Sequence, residues 1–174
     1  MRTRASSARR TRPHDTRTVT RPPSRGLTPG EIGLARTVFG DALHYDDVRV
    51  HGRKYVFFQP AKVAMTPNGE LYFPCGCYRD DFSVNVGDAA WLLHELTHAW
   101  QWQQGLWVKL RAPFSRNYHY GRPHAKPYAR FNIEQQATLV EDWFRLSHGI
   151  APAYGTGTAE EYRAVLPFPP FRSR

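Results

Sequence analysis

The stretch from Asp88 to Gly105, Asp-Ala-Ala-Trp-Leu-Leu-His-Glu-Leu-Thr-His-Ala-Trp-Gln-Trp-Gln-Gln-Gly, most narrows what this chain can fold into. It predicts a helix: Asp88 is a good N-cap, Ala, Leu and Gln fill the interior, and Gly105 suits the position just past the end. Within it His94, Glu95 and His98 spell H-E-x-x-H. Residues four apart lie one turn apart on the same helix face, so the two imidazoles can converge on one metal ion, for which zinc is the expected occupant. Glu95 projects too far round to be a comfortable ligand, which leaves its carboxylate to take a proton from water. A zinc with three protein ligands and one water brings that water to a pKa of about 7, the machinery of amide hydrolysis. The alternative, a polar edge of a packed helix, needs no such coincidence of spacing, caps and apolar neighbours at Leu92, Leu93, Leu96, Ala99 and Trp100.

The third ligand has to come from elsewhere. A metzincin would carry Gly at 101 and His at 104, where this chain has Gln101 and Gln104. The remaining arrangement takes a carboxylate from a later helix. Asn132 to His148 is that helix: Asn132 is its cap, Gly149 its stop, and Ile133, Ala137, Val140 and Phe144 give an apolar face. Glu134 is the leading candidate, because polar groups cluster at that end; Glu141, His119 and His124 remain open. Glu141 or Asp142 is expected to orient a ligating imidazole.

Before the metal helix, Thr28-Pro29-Gly30-Glu31 reads as a capping box with Pro at the first helical position, opening a helix that Gly40 ends. Val48–Val50, Lys54–Gln59, more weakly Ala61–Met65, and Glu70–Phe73 read as strands, with Thr66-Pro67-Asn68-Gly69 as a turn. An edge of this sheet is suited to pairing with an extended substrate. The segment after Gly105 is rich in aromatic and basic residues. It offers Tyr118, His119, Tyr120, His124 and Tyr128 as groups able to polarise a carbonyl, although packing is the commoner role for each. Thr158 opens a short helix, and Leu166 to Arg174, rich in Pro and Phe, is expected to lie extended on the surface.

Charge is concentrated at the start. Residues 1–26 contain eight arginines against one acid, Asp15, and carry +7 of the chain's net +9. No aromatic residue is interleaved with them, so a solvated, disordered basic tail is expected and nucleic-acid binding is not. Arg9-Arg10 is followed by no apolar core of a signal peptide, and no stretch approaches the ~18 apolar residues of a membrane span. The expected site is therefore the cytoplasm before export by a dedicated machine. Cys75 and Cys77, in Pro-Cys-Gly-Cys, read as unbridged thiols in a turn, with a strained disulfide or a soft-metal site as the alternatives.

Several stretches together carry a resemblance: Leu27–Asp41, Met65–Pro74, Tyr78–Phe82, the metal helix, and Asn132–Gln136. They resemble the small zincin-like Vgr-related proteins that accompany Rhs and type VI secretion loci in bacteria. The resemblance implies a metallopeptidase-like domain delivered as an effector, or helping to load one, with Zn2+ as cofactor and Glu134 as third ligand. The substrate class would be protein or a peptidoglycan cross-link, and the partner the Vgr/Rhs secretion machinery. The expected fold over 27–174 is α+β and zincin-like: an N-terminal helix, a small, mostly antiparallel sheet, and a helix pair carrying His94, Glu95, His98 and Glu134. The competing reading is a non-catalytic adaptor or chaperone for secreted cargo, its zinc closed by a fourth ligand from His119, His124 or the cysteines.

Overall fold

Four α-helices and one small sheet organise the described part of the chain, residues 23–106 and 118–168 of a computed structural model. In order these are β1 (Ser24–Arg25), α1 (Pro29–Phe39), β2 (Val50–His51), β3 (Leu71–Tyr72), α2 (Val86–Gln103), α3 (Ile133–Ser147) and α4 (Ala159–Val165). The architecture is α+β, as expected. The larger part of the basic tail lies outside the described residues, as does 107–117.

Helix α2 starts before the expected cap. The Asn85 side chain accepts from the N–H groups of Gly87 and Asp88, so Asn85 is the N-cap. Asp88 instead lies in the first turn, where its charge complements the helix dipole and pairs with Arg79 at 3.0 Å. At the other end Gly105 has φ +78°, its N–H bonds to Trp102 and that of Leu106 to Gln101. This is the paired-bond C-terminal motif that favours glycine. The capping box at Thr28 forms as read, Thr158 caps its helix in a second box with Glu161, and Asn132 forms a third with Gln135.

The sheet departs from expectation. Its order is β1-β2-β3, with β1 antiparallel to β2 but β2 parallel to β3. Lys54–Gln59, read as a strand from its Val, Tyr and Phe, folds into turns instead. The Gln59 side chain causes this: it is buried, accepts from the Tyr55 N–H, and donates to the carbonyls of Val63 and Tyr72. A side chain that satisfies the loop's own backbone competes with a ladder. The folded loop brings the chain back so that β3 runs alongside β2 in the same direction. Of the weaker candidate Ala61–Met65, only Met65 pairs, in an antiparallel bridge with Tyr72.

Helix α2 is buried on nearly every side. Leu92, Leu93, Leu96 and Ala99 meet a core that includes Val38 and Phe39 of α1, Leu71 and Phe73 around β3, and Leu139, Val140 and Phe144 of α3. Two expectations about the ends are corrected. Leu166 and Phe168 are buried rather than lying on the surface, with the Phe168 ring 4.8 Å from Phe39 and 5.0 Å from Trp100. Aromatic residues flanked by prolines pack here because burial outweighs their irregular backbone. At the start, Ser24 and Arg25 belong to the fold rather than to the tail, since they pair with β2.

Arg25 is also tied down by charge. Its guanidinium makes two bonds to Glu31, at 2.7 and 2.8 Å, and Glu31, fully buried, also accepts from the N–H groups of Thr28 and Phe82. One carboxylate thus joins β1, the start of α1 and the turn that leads into α2. Glu31→Ala strands a cation and two N–H groups, so it is expected to cost about 3 kcal/mol. Thermal unfolding followed by circular dichroism should show the midpoint falling by roughly 6–12 °C; an unchanged midpoint would contradict this account of the junction.

Candidate metal centre

Two helices build the centre. Helix α2 supplies His94, Glu95 and His98, and α3, packed against it, supplies Glu134 in its first turn and Glu141 two turns on. All five side chains except Glu141 belong to buried residues. Nε2 of His94 and Nε2 of His98 each lie 3.4 Å from the same oxygen, Oε2 of Glu134. The three residues form a group whose ligand atoms all fall within 4.8 Å of one another, close enough to hold a metal ion.

The far side of each imidazole is committed. His94 Nδ1 lies 3.1 Å from Glu141 Oε2, and His98 Nδ1 lies 2.8 Å from Gln101 Oε1. A carboxylate and an amide oxygen only accept, so hydrogen-bond logic puts a proton on Nδ1 of both rings and turns both Nε2 atoms toward Glu134. Gln101 is itself fixed, donating to the Ile133 carbonyl and to Gln136 Oε1 across the helix pair. Imidazoles backed by acceptors in this way are the usual support of a metal site. The donor set therefore fits a divalent transition ion.

Electrostatics agree. Burial by itself works against a charge on His94, but hydrogen bonds to Glu134 and Glu141 and the charges of Glu95 and Glu141 outweigh it and push the ring up to about 10. Burial likewise works against Glu134, yet the neighbouring His98 and His94 hold its carboxyl well below the usual range. Positive charge is thus strongly favoured at the point where the three groups meet. A divalent cation would supply that charge.

Glu95 stands next to this cluster. Thr66, just past the bridge residue Met65, donates its hydroxyl to Glu95 Oε2 at 2.7 Å. Tyr118 lies near His94, its ring centroid 6.4 Å away, and is stacked on Tyr154. Burial, then the charges of Glu134 and Glu95, push its hydroxyl up to about 12.

The other residues singled out by sequence go elsewhere. Tyr120 donates to Asp142 and accepts from the Tyr162 hydroxyl; Asp142 also accepts from the Ala153 and Tyr154 N–H groups, clamping the chain after α3. Glu141, not Asp142, is therefore the partner of a ligating imidazole. Tyr128 is buried and bonds to the Gln136 carbonyl, His124 faces Glu161, and His119 packs on Tyr154. Cys75 and Cys77 are free thiols that donate to the carbonyls of Gly52 and Ala61. Among the described residues no fourth His, Cys, Asp or Glu joins the group, and by sequence 107–117 contains none of these types. Sequence reasoning missed Gln101 and Thr66. Gln101 carried a signal, since it stands three residues past His98 on the same face; Thr66 carried none, because its place depends on the loop before it.

Removing Glu134 is expected to abolish tight binding, whereas Gln101→Leu and Glu141→Ala should weaken it by about 10–100-fold. Equilibrium dialysis with elemental analysis reads both. The Cys75→Ser/Cys77→Ser variant should keep about one ion per chain, as expected for a site without thiolates.

No family model matches the chain. Over 130 residues it is 35% identical to the type VI secretion system spike protein VgrG2b of Pseudomonas aeruginosa, a match that takes in 69% of this chain and 13% of that protein. The chain thus spans only about an eighth of that relative's length. The solved structure of the effector domain of Pseudomonas aeruginosa VgrG2b matches with a TM-score of 0.70 and 32% identity, over 82% of this chain and 83% of that one.

Proposed function

The chain belongs to the family of the VgrG2b effector domain, and from that premise we propose that it is a zincin-like, zinc-dependent hydrolase of amide bonds exported as a type VI effector. The observation that carries the reading is the buried convergence of His94, His98 and Glu134 beside Glu95. A divalent metal held by those three residues would polarise a substrate carbonyl and acidify water, and zinc suits two imidazoles and a carboxylate.

The chain's own groups do the rest. Thr66 occupies Oε2 of Glu95, which leaves Oε1 to take a proton from the attacking water and return it to the leaving nitrogen. The bond formed is oxygen to carbonyl carbon, and the bond broken is carbon to amide nitrogen. Tyr118, which keeps its proton at neutral pH, offers a donor to the carbonyl oxygen as it gains charge. Met65 exchanges both backbone bonds with Tyr72, so the backbone groups of its neighbours Ala64 and Thr66 point the other way and can align an extended substrate. A polypeptide and the peptide cross-link of peptidoglycan are the two substrates of this class, and the secretion spike is the proposed delivery partner.

Three donors with no fourth among the described residues favour this reading over an adaptor with a closed structural ion. Glu95→Gln should lower kcat by about 10²–10⁴ and leave metal content unchanged. Release of new amino groups from casein and from purified peptidoglycan, using the zinc-loaded chain, measures it. Full activity in Glu95→Gln, or no hydrolysis of either substrate by the unaltered chain, would shift the assignment to the adaptor.

A further inference from the structure

Six large hydrophobic side chains are exposed among the described residues, and three of them share one loop: Phe57 at 91%, Phe58 at 70% and Val63 at 47%. The two Phe rings are adjacent, with centroids 5.0 Å apart. The charge within the loop is positive, and the nearest acid along the chain, Glu70, is engaged by His51 and Tyr72. Residues 48–69 contain Arg49, Arg53, Lys54 and Lys62 and neither Asp nor Glu, and all four cations are exposed.

Part of the backbone of this loop is bonded within the loop. Gln59 accepts from the Tyr55 N–H and donates to the Val63 carbonyl, while its own N–H bonds to Val56 and that of Val63 to Pro60. The thiols of Cys75 and Cys77 donate to the carbonyls at its two ends, Gly52 and Ala61. The Arg53 guanidinium sits 5.3 Å over the Tyr72 ring. A buried glutamine and two thiols thus hold a loop whose tip offers the least favourable side chains to water.

We infer that the loop formed by residues 53–63 docks the domain on an anionic lipid bilayer, Phe57 and Phe58 entering the boundary between headgroups and acyl chains while Arg53, Lys54 and Lys62 contact the headgroups. Aromatic rings prefer that boundary, and cations with flexible stems reach back to lipid phosphates. A protruding pair of rings with a cationic rim suits a lipid surface better than a protein groove, which needs roughly 800 Å² of matched area per partner. The inference does not rest on the hydrolase reading. Its geometric link to the centre is that the loop runs directly into Met65 and Thr66, the latter bonded to Glu95.

Co-sedimentation of the full chain with mixed phosphatidylcholine and phosphatidylglycerol vesicles tests it, with pure phosphatidylcholine alongside. Binding is expected to the mixed vesicles and to fall at least about tenfold in F57S/F58S, with an unchanged thermal midpoint because both positions are exposed. K54E/K62E should weaken binding in the same way. The arginine-rich start is intact in both variants, so undiminished binding of F57S/F58S would show that the start alone holds the vesicles and would overturn the inference. Absence of binding by the unaltered chain would overturn it too.

Discussion

One carboxylate reaching two imidazoles sets the terms for everything around it. Glu134 can stay ionised in a buried place only because His94 and His98 face it, and those rings stay in place only because Glu141 and Gln101 hold their far nitrogens. Each partner comes from α2 or α3, so the contact between the two helices and the geometry of the centre are one constraint. Sliding α3 by a single residue would turn Glu134 away by about 100° and leave buried groups without partners, a cost of several kcal/mol. The helix pair is thus fixed in register by polar groups as well as by Leu96, Leu139 and Val140.

The remaining elements brace that pair. Glu31 joins β1 and α1 to the turn before α2, and Asp142 gathers Tyr120, Ala153 and Tyr154 onto the outer side of α3. Burial raises the carboxyl of Asp142 despite those bonds, a sign of how little water reaches it. Phe168 then closes the far end by packing on Phe39 and Trp100. The sheet is small because its work is local: it sets Met65 and Thr66 beside Glu95, and the loop between β2 and β3 stands out from it.

Legibility in the sequence followed the range of the interactions. Helices with local signals were readable to within a residue or so: Thr28, Asn132 and Thr158 all cap the helices they were read as opening. The convergence of His94 and His98 was legible from spacing, whereas Glu134 was only the leading candidate among Glu141, His119 and His124 until the fold brought it to the two rings. The cap of α2 was misread because Asn85 and Asp88 both suit the role, and only the backbone decides between them. The β segments were misread for another reason. Lys54–Gln59 has strand composition, but one buried amide, Gln59, satisfies that backbone from the side. Its partners at Val63 and Tyr72 are set by tertiary structure, not by local pattern. The same holds for Thr66, and for the buried Leu166 and Phe168.

Kinship with the VgrG2b effector domain covers most of the chain, so the helix pair is the natural unit to compare across that family. The central claim is an ion held by two imidazoles and one carboxylate without sulfur. X-ray absorption on the zinc-loaded full chain measures this most directly. The account predicts nitrogen and oxygen neighbours at about 2.0–2.2 Å, with the outer-shell scattering of two imidazoles. A sulfur shell at about 2.3 Å, or a third imidazole, would contradict it.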